Sequence, residues 1–198
     1  VRRDRASNPL ALAVLAYLSE RPMHPYELGK LFKERDAQES IKYKHASLYM
    51  VVGQLNRSGY IEAQEMVRDG QRPERTVYRL TEAGRTELHG RMRELVSSPV
   101  KEYPQFLAAL ALIVVLPPHE VTELLDDRLR ALAEQAEQLA TTIRGAKDFD
   151  QLFVAEYDYR LELVKAEQRF IRRFRGHVLD GGPTFGTFWR QLHGGEPT

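Results

Sequence analysis

Between residues 46 and 58 the aliphatic side chains Leu48, Val51, Val52 and Leu55 recur at i, i+3, i+4 and i+7, the spacing of one face of an α-helix. The opposite face carries Ser47, Met50, Gln54 and Arg57, with Tyr49 and Gly53 on its flank. A hydroxyl, an amide, a guanidinium and an aromatic are the groups that donate to phosphates and read base edges in a DNA major groove. Just ahead, Lys42-Tyr43-Lys44-His45 sets two fixed charges where such a helix would meet a phosphate backbone, and the helix N-terminal amides add an anion site. A second basic cluster, Arg68, Arg72 and Arg75, brackets the turn sequence Asp69-Gly70-Gln71-Arg72-Pro73. Arg72, beside Pro73, is the residue best placed to enter a minor groove or lie on a phosphate ridge. Two plainer readings compete. A single exposed Arg or Lys is commonly a solvated surface charge, and Tyr49 reads equally as a half-buried core aromatic.

Other chemistry finds little support. The six histidines stand singly at 24, 45, 89, 119, 177 and 193, with no i, i+4 pair and no HExxH, so no metal or cofactor site is expected. The chain has no cysteine, which removes disulfides, thiol nucleophiles and thiolate ligands. Neither GxSxG nor GxxxxGK[ST] occurs. Gly181-Gly182-Pro183-Thr184-Phe185-Gly186 is glycine-rich but follows no predicted strand, so a phosphate cradle is not expected. Asp126-Asp127 and Asp148/Asp150 read as solvated carboxylates. No catalytic residue is expected.

The elements that must position these groups follow from helix and turn signals. Asn8-Pro9 caps a first helix with Leu10, Val14, Leu15 and Leu18 on one face. Glu20-Arg21-Pro22-Met23 breaks it, and His24-Pro25 starts a second with Leu28, Leu31 and Phe32 inward. Arg35 to Tyr43 reads as a loop. The third helix spans about Ala46 to Ser58, with Gly59 as a left-handed cap. Tyr60–Arg68 and Glu74–Leu80 alternate as a β-hairpin. Thr81 caps a fourth helix that runs to about Val96, and Ser97-Ser98-Pro99 marks a boundary. Beyond it the spacing predicts helices over Pro104–Leu116, from Pro117-Pro118 to Arg144, and over Phe149–Arg175 closed by Gly176. Leu125, Leu129, Leu132, Ala136, Leu139 and Ile143 alternate in steps of four and three, a coiled-coil-like seam. Tyr157, Leu161, Val164 and Ile171 form a similar stripe. The expected fold is mainly α with a small β-hairpin: a winged helix-turn-helix over residues 1–98, then a long-helix dimerisation domain, with possible effector binding, over 99–198.

Charge divides the same way. Residues 1–98 hold 17 Lys and Arg against 13 Asp and Glu, a net of +4, and residues 99–198 hold 12 against 15, a net of −3. A basic front and acidic back suggest different partners. No apolar run reaches the ~18 residues of a membrane span, and the basic N-terminus lacks the apolar core of a signal peptide. The expected location is the cytoplasm.

Four stretches also carry a resemblance: His24-Pro25-Tyr26-Glu27-Leu28, His45-Ala46-Ser47-Leu48-Tyr49, Leu55-Asn56-Arg57-Ser58-Gly59-Tyr60-Ile61-Glu62, and Arg75-Thr76-Val77-Tyr78-Arg79-Leu80-Thr81-Glu82-Ala83-Gly84-Arg85. In this order and at these distances, residues 8–95 resemble the PadR family of transcriptional regulators. The resemblance implies a homodimer that binds a palindromic operator, usually represses, and commonly responds to a small, often aromatic, molecule. It implies DNA contacts at Tyr26, Ser47 and Tyr49, and a wing at Arg72. The chain departs from the family pattern at Met50, where Pro is frequent, and at Gly53, where a charged residue is frequent. The DNA-facing set is therefore Tyr26, Lys42, Lys44, His45, Ser47, Tyr49, Met50, Gln54, Arg57, Arg72 and Arg75.

Two half-sites one DNA turn apart need two reading heads at fixed separation. The seam from Leu125 to Ile143 offers a means, unless these helices pack only on each other within one chain. For an effector, the single tryptophan, Trp189, lies near Phe185 and Phe188; with Tyr157 these aromatics can line a pocket, or simply pack the tail onto the core. A winged-helix protein-interaction module on a coiled-coil scaffold is the alternative function. A MarR-type layout is disfavoured, because nearly all the extra helical mass follows the hairpin.

Overall fold

Asn8 begins the first helix: its side chain accepts the Leu10 amide at 3.0 Å, and Pro9 occupies the first position of α1 (Pro9–Glu20). In this computed structural model, which describes residues 8–35, 40–41, 44–64, 76–148, 150–181 and 185–194, the chain divides into two compact units, Val1–Lys101 and Glu102–Thr198. α1 is the pillar of the first. The expected face of Leu10, Val14, Leu15 and Leu18 is buried, and so are Ala11, Leu12 and Ala13, because α1 is packed on by later elements from several sides. Helix α2 (Pro25–Glu34) opens with the reciprocal bonds of a capping box. His24 Nδ1 accepts the Tyr26 amide at 3.0 Å, and the Glu27 carboxylate accepts the His24 amide at 2.9 Å.

Helix α3 (His45–Arg57) ends in a two-bond cap. Gly59 takes φ +74°, its amide donates to Asn56 O, and the Tyr60 amide donates to Leu55 O, each at 3.0 Å. This arrangement satisfies the last carbonyls of the helix and needs a residue free to adopt positive φ. The chain then turns into β1 (Ile61–Gln64), which pairs antiparallel with β2 (Val77–Leu80) in the register Ile61↔Leu80 to Gln64↔Val77. The breaker segment after α1 also joins this sheet. Met23 and Tyr78 exchange both backbone hydrogen bonds at 3.0 Å, and the Met23 side chain is fully buried. Thr81 caps α4 (Glu82–Ser97) by accepting the Gly84 amide at 3.0 Å. The shared core gathers Leu15, Leu28, Phe32, Leu48, Leu55, Ile61 and Leu88.

The second unit is all helix: α5 (Gln105–Ala111), a 3-10 turn over Ile113–Val115, α6 (Pro118–Gly145), a second 3-10 turn over Gln151–Val154, α7 (Ala155–Asp180) and α8 (Thr187–His193). Three expectations need correction. The helix foreseen over residues 104–116 stops at Ala111, before the β-branched run Ile113-Val114-Val115 tightens into the 3-10 turn. α7 starts only at Ala155, and it passes through Gly176 to Asp180. A Cβ at Gly176 would meet nothing nearer than Asp180 Oδ2 at 4.0 Å, so nothing there demands a break. The terminator is Gly181, at φ +53°, whose amide caps His177 O at 3.2 Å.

The third correction concerns the seam. Leu125, Leu132 and Leu139 are buried, with Leu129, Ala136 and Ile143 half-covered, against Leu161, Val164, Ile171 and Val178 of α7. The seam thus joins α6 to α7 of the same chain. Arg128 bonds Glu167 at 2.6 Å and Arg175 bonds Asp126 at 2.8 Å across that pair. Among the described residues no helix is long and apolar enough to cross a membrane.

Candidate nucleic-acid interface

The inner face of α3 is fixed by burial of Leu48, Val51, Val52 and Leu55. At 3.6 residues per turn the side directly opposite holds Ala46, Met50, Gly53 and Arg57. Gly53 therefore lies in the outward stripe rather than on its flank. Met50 is 62% exposed and Tyr49 44%, so Tyr49 is not a core side chain. Arg57 is exposed, while Ser47 and Gln54 are half-buried at the edges of the stripe.

Tyr26 stands exposed in the first turn of α2, the helix packed directly on α3. Gly29 sets how closely the two approach: a Cβ there would lie 3.2 Å from His45 Cε1 and 3.5 Å from Leu48 Cδ2. His45 in turn meets Tyr49 edge to face, with ring centroids 5.3 Å apart. The start of α3 is open. Asn8, His24 and Thr81 place side-chain caps on α1, α2 and α4, but Lys44 at the N-cap of α3 provides none. Among the described residues no side chain caps the first turn of α3, which stands beside the exposed Lys44 and His45, and helix N-terminal amides of this kind suit an external acceptor. Lys42, Arg72 and Arg75 lie outside the described residues, as does the hairpin turn.

The other end of α3 is clamped. The Thr81 hydroxyl lies 2.7 Å from Gly59 O and 3.0 Å from Tyr60 O, and the Thr81 amide donates to Tyr60 O at 3.1 Å. Gly84 lies so close that a Cβ would fall 2.0 Å from Tyr60 O. Gly29, Met23 and the Thr81–Gly84 clamp were not singled out in the sequence as positioning residues. A glycine inside a strong helical pattern was the available signal for Gly29 and Gly84. The far ends of α1 and α2 are braced by Arg35, which holds Glu20 through two bonds of 2.6 and 2.8 Å and lies 4.9 Å above the Tyr17 ring. The hydrogen bond from Arg35 lowers the Glu20 carboxyl below its ordinary value. The same bond raises the Arg35 guanidinium.

The four aromatic effector candidates do not converge. Trp189 is 5% exposed, and its indole donates to Leu116 O at 2.7 Å. Phe185 packs on Phe174 and His177 at 5.8 and 5.5 Å between centroids. Phe188 is exposed. Tyr157 stands about 25 Å along α7 from Phe174, at 1.5 Å per residue. This unit instead carries an apolar groove of about 460 Å³ lined by Phe106, Leu110, Ile113, Leu116, Val121 and Leu125, with Arg128 on its wall.

Three helices, a hairpin joined by a bridging residue, a closing helix, and a third helix that buries one face and exposes the other define the first unit as a winged helix-turn-helix, a class that docks its third helix on DNA. Residues 14–90 match the transcriptional regulator PadR-like family. The negative transcriptional regulator PadR of Bacillus subtilis is 26% identical over 121 residues, 61% of this chain and 65% of that protein. The match thus spans just under two-thirds of the relative's length. The crystal structure of B. subtilis PadR in complex with operator DNA aligns with TM-score 0.64 and 22% identity, covering 85% of this chain and 97% of that one. Its complex with p-coumaric acid gives 0.65 and 20%, covering 90% and 98%. The Vibrio cholerae virulence activator AphA gives 0.65 and 17%, covering 87% and 99%. At these identities the structural likeness is one of fold.

Proposed function

We propose that the chain binds duplex DNA sequence-specifically as a homodimer on a palindromic operator in the cytoplasm, represses transcription there, and is released by a small aromatic molecule. The observation that carries DNA binding is the outward face of α3. Its exposed Tyr49, Met50 and Arg57 extend from an uncapped, basic N-terminus beside Tyr26. In this reading α3 enters the major groove, Ser47 and Gln54 flank the base contacts, Lys42, Lys44 and His45 hold phosphates, and Arg72 and Arg75 lie on the wing. Repression is supported by the B. subtilis relative, a negative regulator; fold alone does not decide the sign, since AphA is an activator. Residues 1–98 serve as the DNA-binding domain and 99–198 as the dimerisation and effector domain. The function is binding, not catalysis. The matched proteins are regulators, which favours DNA over a protein-interaction module.

The α6 seam is taken up within the chain, so the dimer contact belongs elsewhere in the second unit. Leu112 is 67% exposed and Val115 71%, and both line the groove together with the exposed Leu124. Single exposed apolar residues are ordinary, but a contiguous set of this kind marks an interaction surface. For the effector, the p-coumaric acid complex of B. subtilis PadR supports an aromatic acid. Phe185 and Phe188 are the reachable members of the aromatic set, with Tyr157 and Trp189 acting through packing. Ligand-dependent spacing of the reading heads would be taken up at residues 98–104, which carry no helix or strand. The test is a footprint on the DNA upstream of the chain's own gene, followed by a screen of aromatic acids for its loss. Protection of two related half-sites that an aromatic acid abolishes is expected. An unprotected promoter refutes the proposal.

A further inference from the structure

We infer that Gly53 is a positioning residue for Arg57, and that the pair selects a guanine in the operator; this rests on the DNA-binding reading above. Glycine inside a helix costs about 0.5–1 kcal/mol against alanine, and in Gly29 and Gly84 close approach explains it. Gly53 is different. It lies in the outward stripe of α3, and a Cβ there would meet a single neighbour, Nη1 of Arg57, at 3.4 Å. The core does not require a glycine at this position.

The missing side chain leaves a notch one turn before Arg57. Helical side chains lean toward the N-terminus of their helix, and Arg57 follows that lean, so its guanidinium rests over Gly53. This carries the charge about 6 Å back along α3, from the helix end to the middle of the exposed face. The guanidinium makes no ion pair or hydrogen bond among the described residues, so its donor fork is free. An unpaired, planar fork at mid-helix matches O6 and N7 of guanine in a major groove. The same group extended off the helix end would meet phosphates instead.

The test is selection of duplexes from a randomised pool by the full chain, with circular dichroism and thermal unfolding on every variant. The wild type is expected to select a guanine at one position of its site. Gly53→Ala keeps that preference, since its Cβ makes only ordinary contact with Nη1, and raises the unfolding temperature. Gly53→Leu fills the notch, displaces the guanidinium and lowers the guanine preference about 5- to 150-fold at that position alone. Arg57→Lys loses the same position, and the double variant is no worse than either single one. A guanine preference retained in Gly53→Leu overturns the proposal. So does an Arg57→Gln variant that weakens all sequences alike and reduces the salt slope by about 1, the mark of a lost phosphate contact. A wild type that selects no sequence refutes sequence-specific DNA binding itself, which separates the two failures.

Discussion

Replacing Gly84 by alanine should loosen the end of α3 although residue 84 touches no DNA. The added Cβ would fall 2.0 Å from Tyr60 O, 2.8 Å from Leu80 Cδ1 and 2.9 Å from the Tyr60 carbonyl carbon. An ordinary carbon–oxygen contact is roughly 3.4 Å, so backbone must move by more than 1 Å, and two of the three atoms in the way are main chain. Overpacking of this kind costs about 1–3 kcal/mol. The displaced Tyr60 carbonyl is also the acceptor of the Thr81 amide at 3.1 Å and lies 3.0 Å from the Thr81 hydroxyl, bonds that each contribute about 0.5–1.5 kcal/mol. A total of about 2–6 kcal/mol follows. The assay is urea unfolding followed by circular dichroism, with Gly53→Ala as an internal contrast, because a Cβ there makes only ordinary contact with Arg57 Nη1 at 3.4 Å and its replacement should stabilise by about 0.5–1 kcal/mol. If Gly84→Ala unfolds at the wild-type midpoint or above it, the Thr81–Gly84 clamp does not hold α3 as described.

Three further outcomes follow from the same geometry. Leu112→Asp or Val115→Asp should convert a dimer to a folded monomer in sedimentation velocity; an unchanged sedimentation coefficient places the dimer contact elsewhere. The Glu20 carboxyl is lowered by the Arg35 hydrogen bond, so this pair adds stability above the ordinary carboxylate range and loses it as pH falls through the depressed value. Both side chains are nearly half exposed, so the contribution is about 0.2–1 kcal/mol, and Glu20→Gln should flatten the acid limb of a stability–pH curve by that much. His24→Ala removes the acceptor for the Tyr26 amide and should cost about 1 kcal/mol in unfolding free energy; no change would mean the cap is replaced by water.

The winged half was legible because its signals are local. Asn8-Pro9, His24-Pro25, Thr81 and Gly59 each act within a few residues of their own position, and each does so in the structure. The inward side of α3 followed from period alone. Contacts between elements were less visible. Nothing in the segment Glu20–Met23 announces that Met23 will bond Tyr78 across the unit, and the breaker residues only mark where α1 stops. Gly29 and Gly84 look like helix weaknesses until the neighbours that exclude a Cβ are known. In the second half a heptad-like spacing does not say which helix answers it. The stripe from Leu125 to Ile143 is satisfied by α7, a partner the sequence also offered. Gly176 resembled a terminator because glycine is a common one, but the buried Val178 on the same face of α7 favours continuing the helix to Gly181.

The most direct measurement of the central claim is binding of the full chain to its upstream DNA across a salt series, read by footprinting and repeated with Tyr49→Ala and Arg57→Ala. Two protected half-sites about one helical turn, roughly 34–36 Å, apart, and a steep loss of affinity with salt are expected. Each variant should bind at least tenfold more weakly, with its fold intact because both side chains are exposed. Binding that is indifferent to salt, or equally tight after both substitutions, would contradict the assignment of the outward face of α3 to DNA.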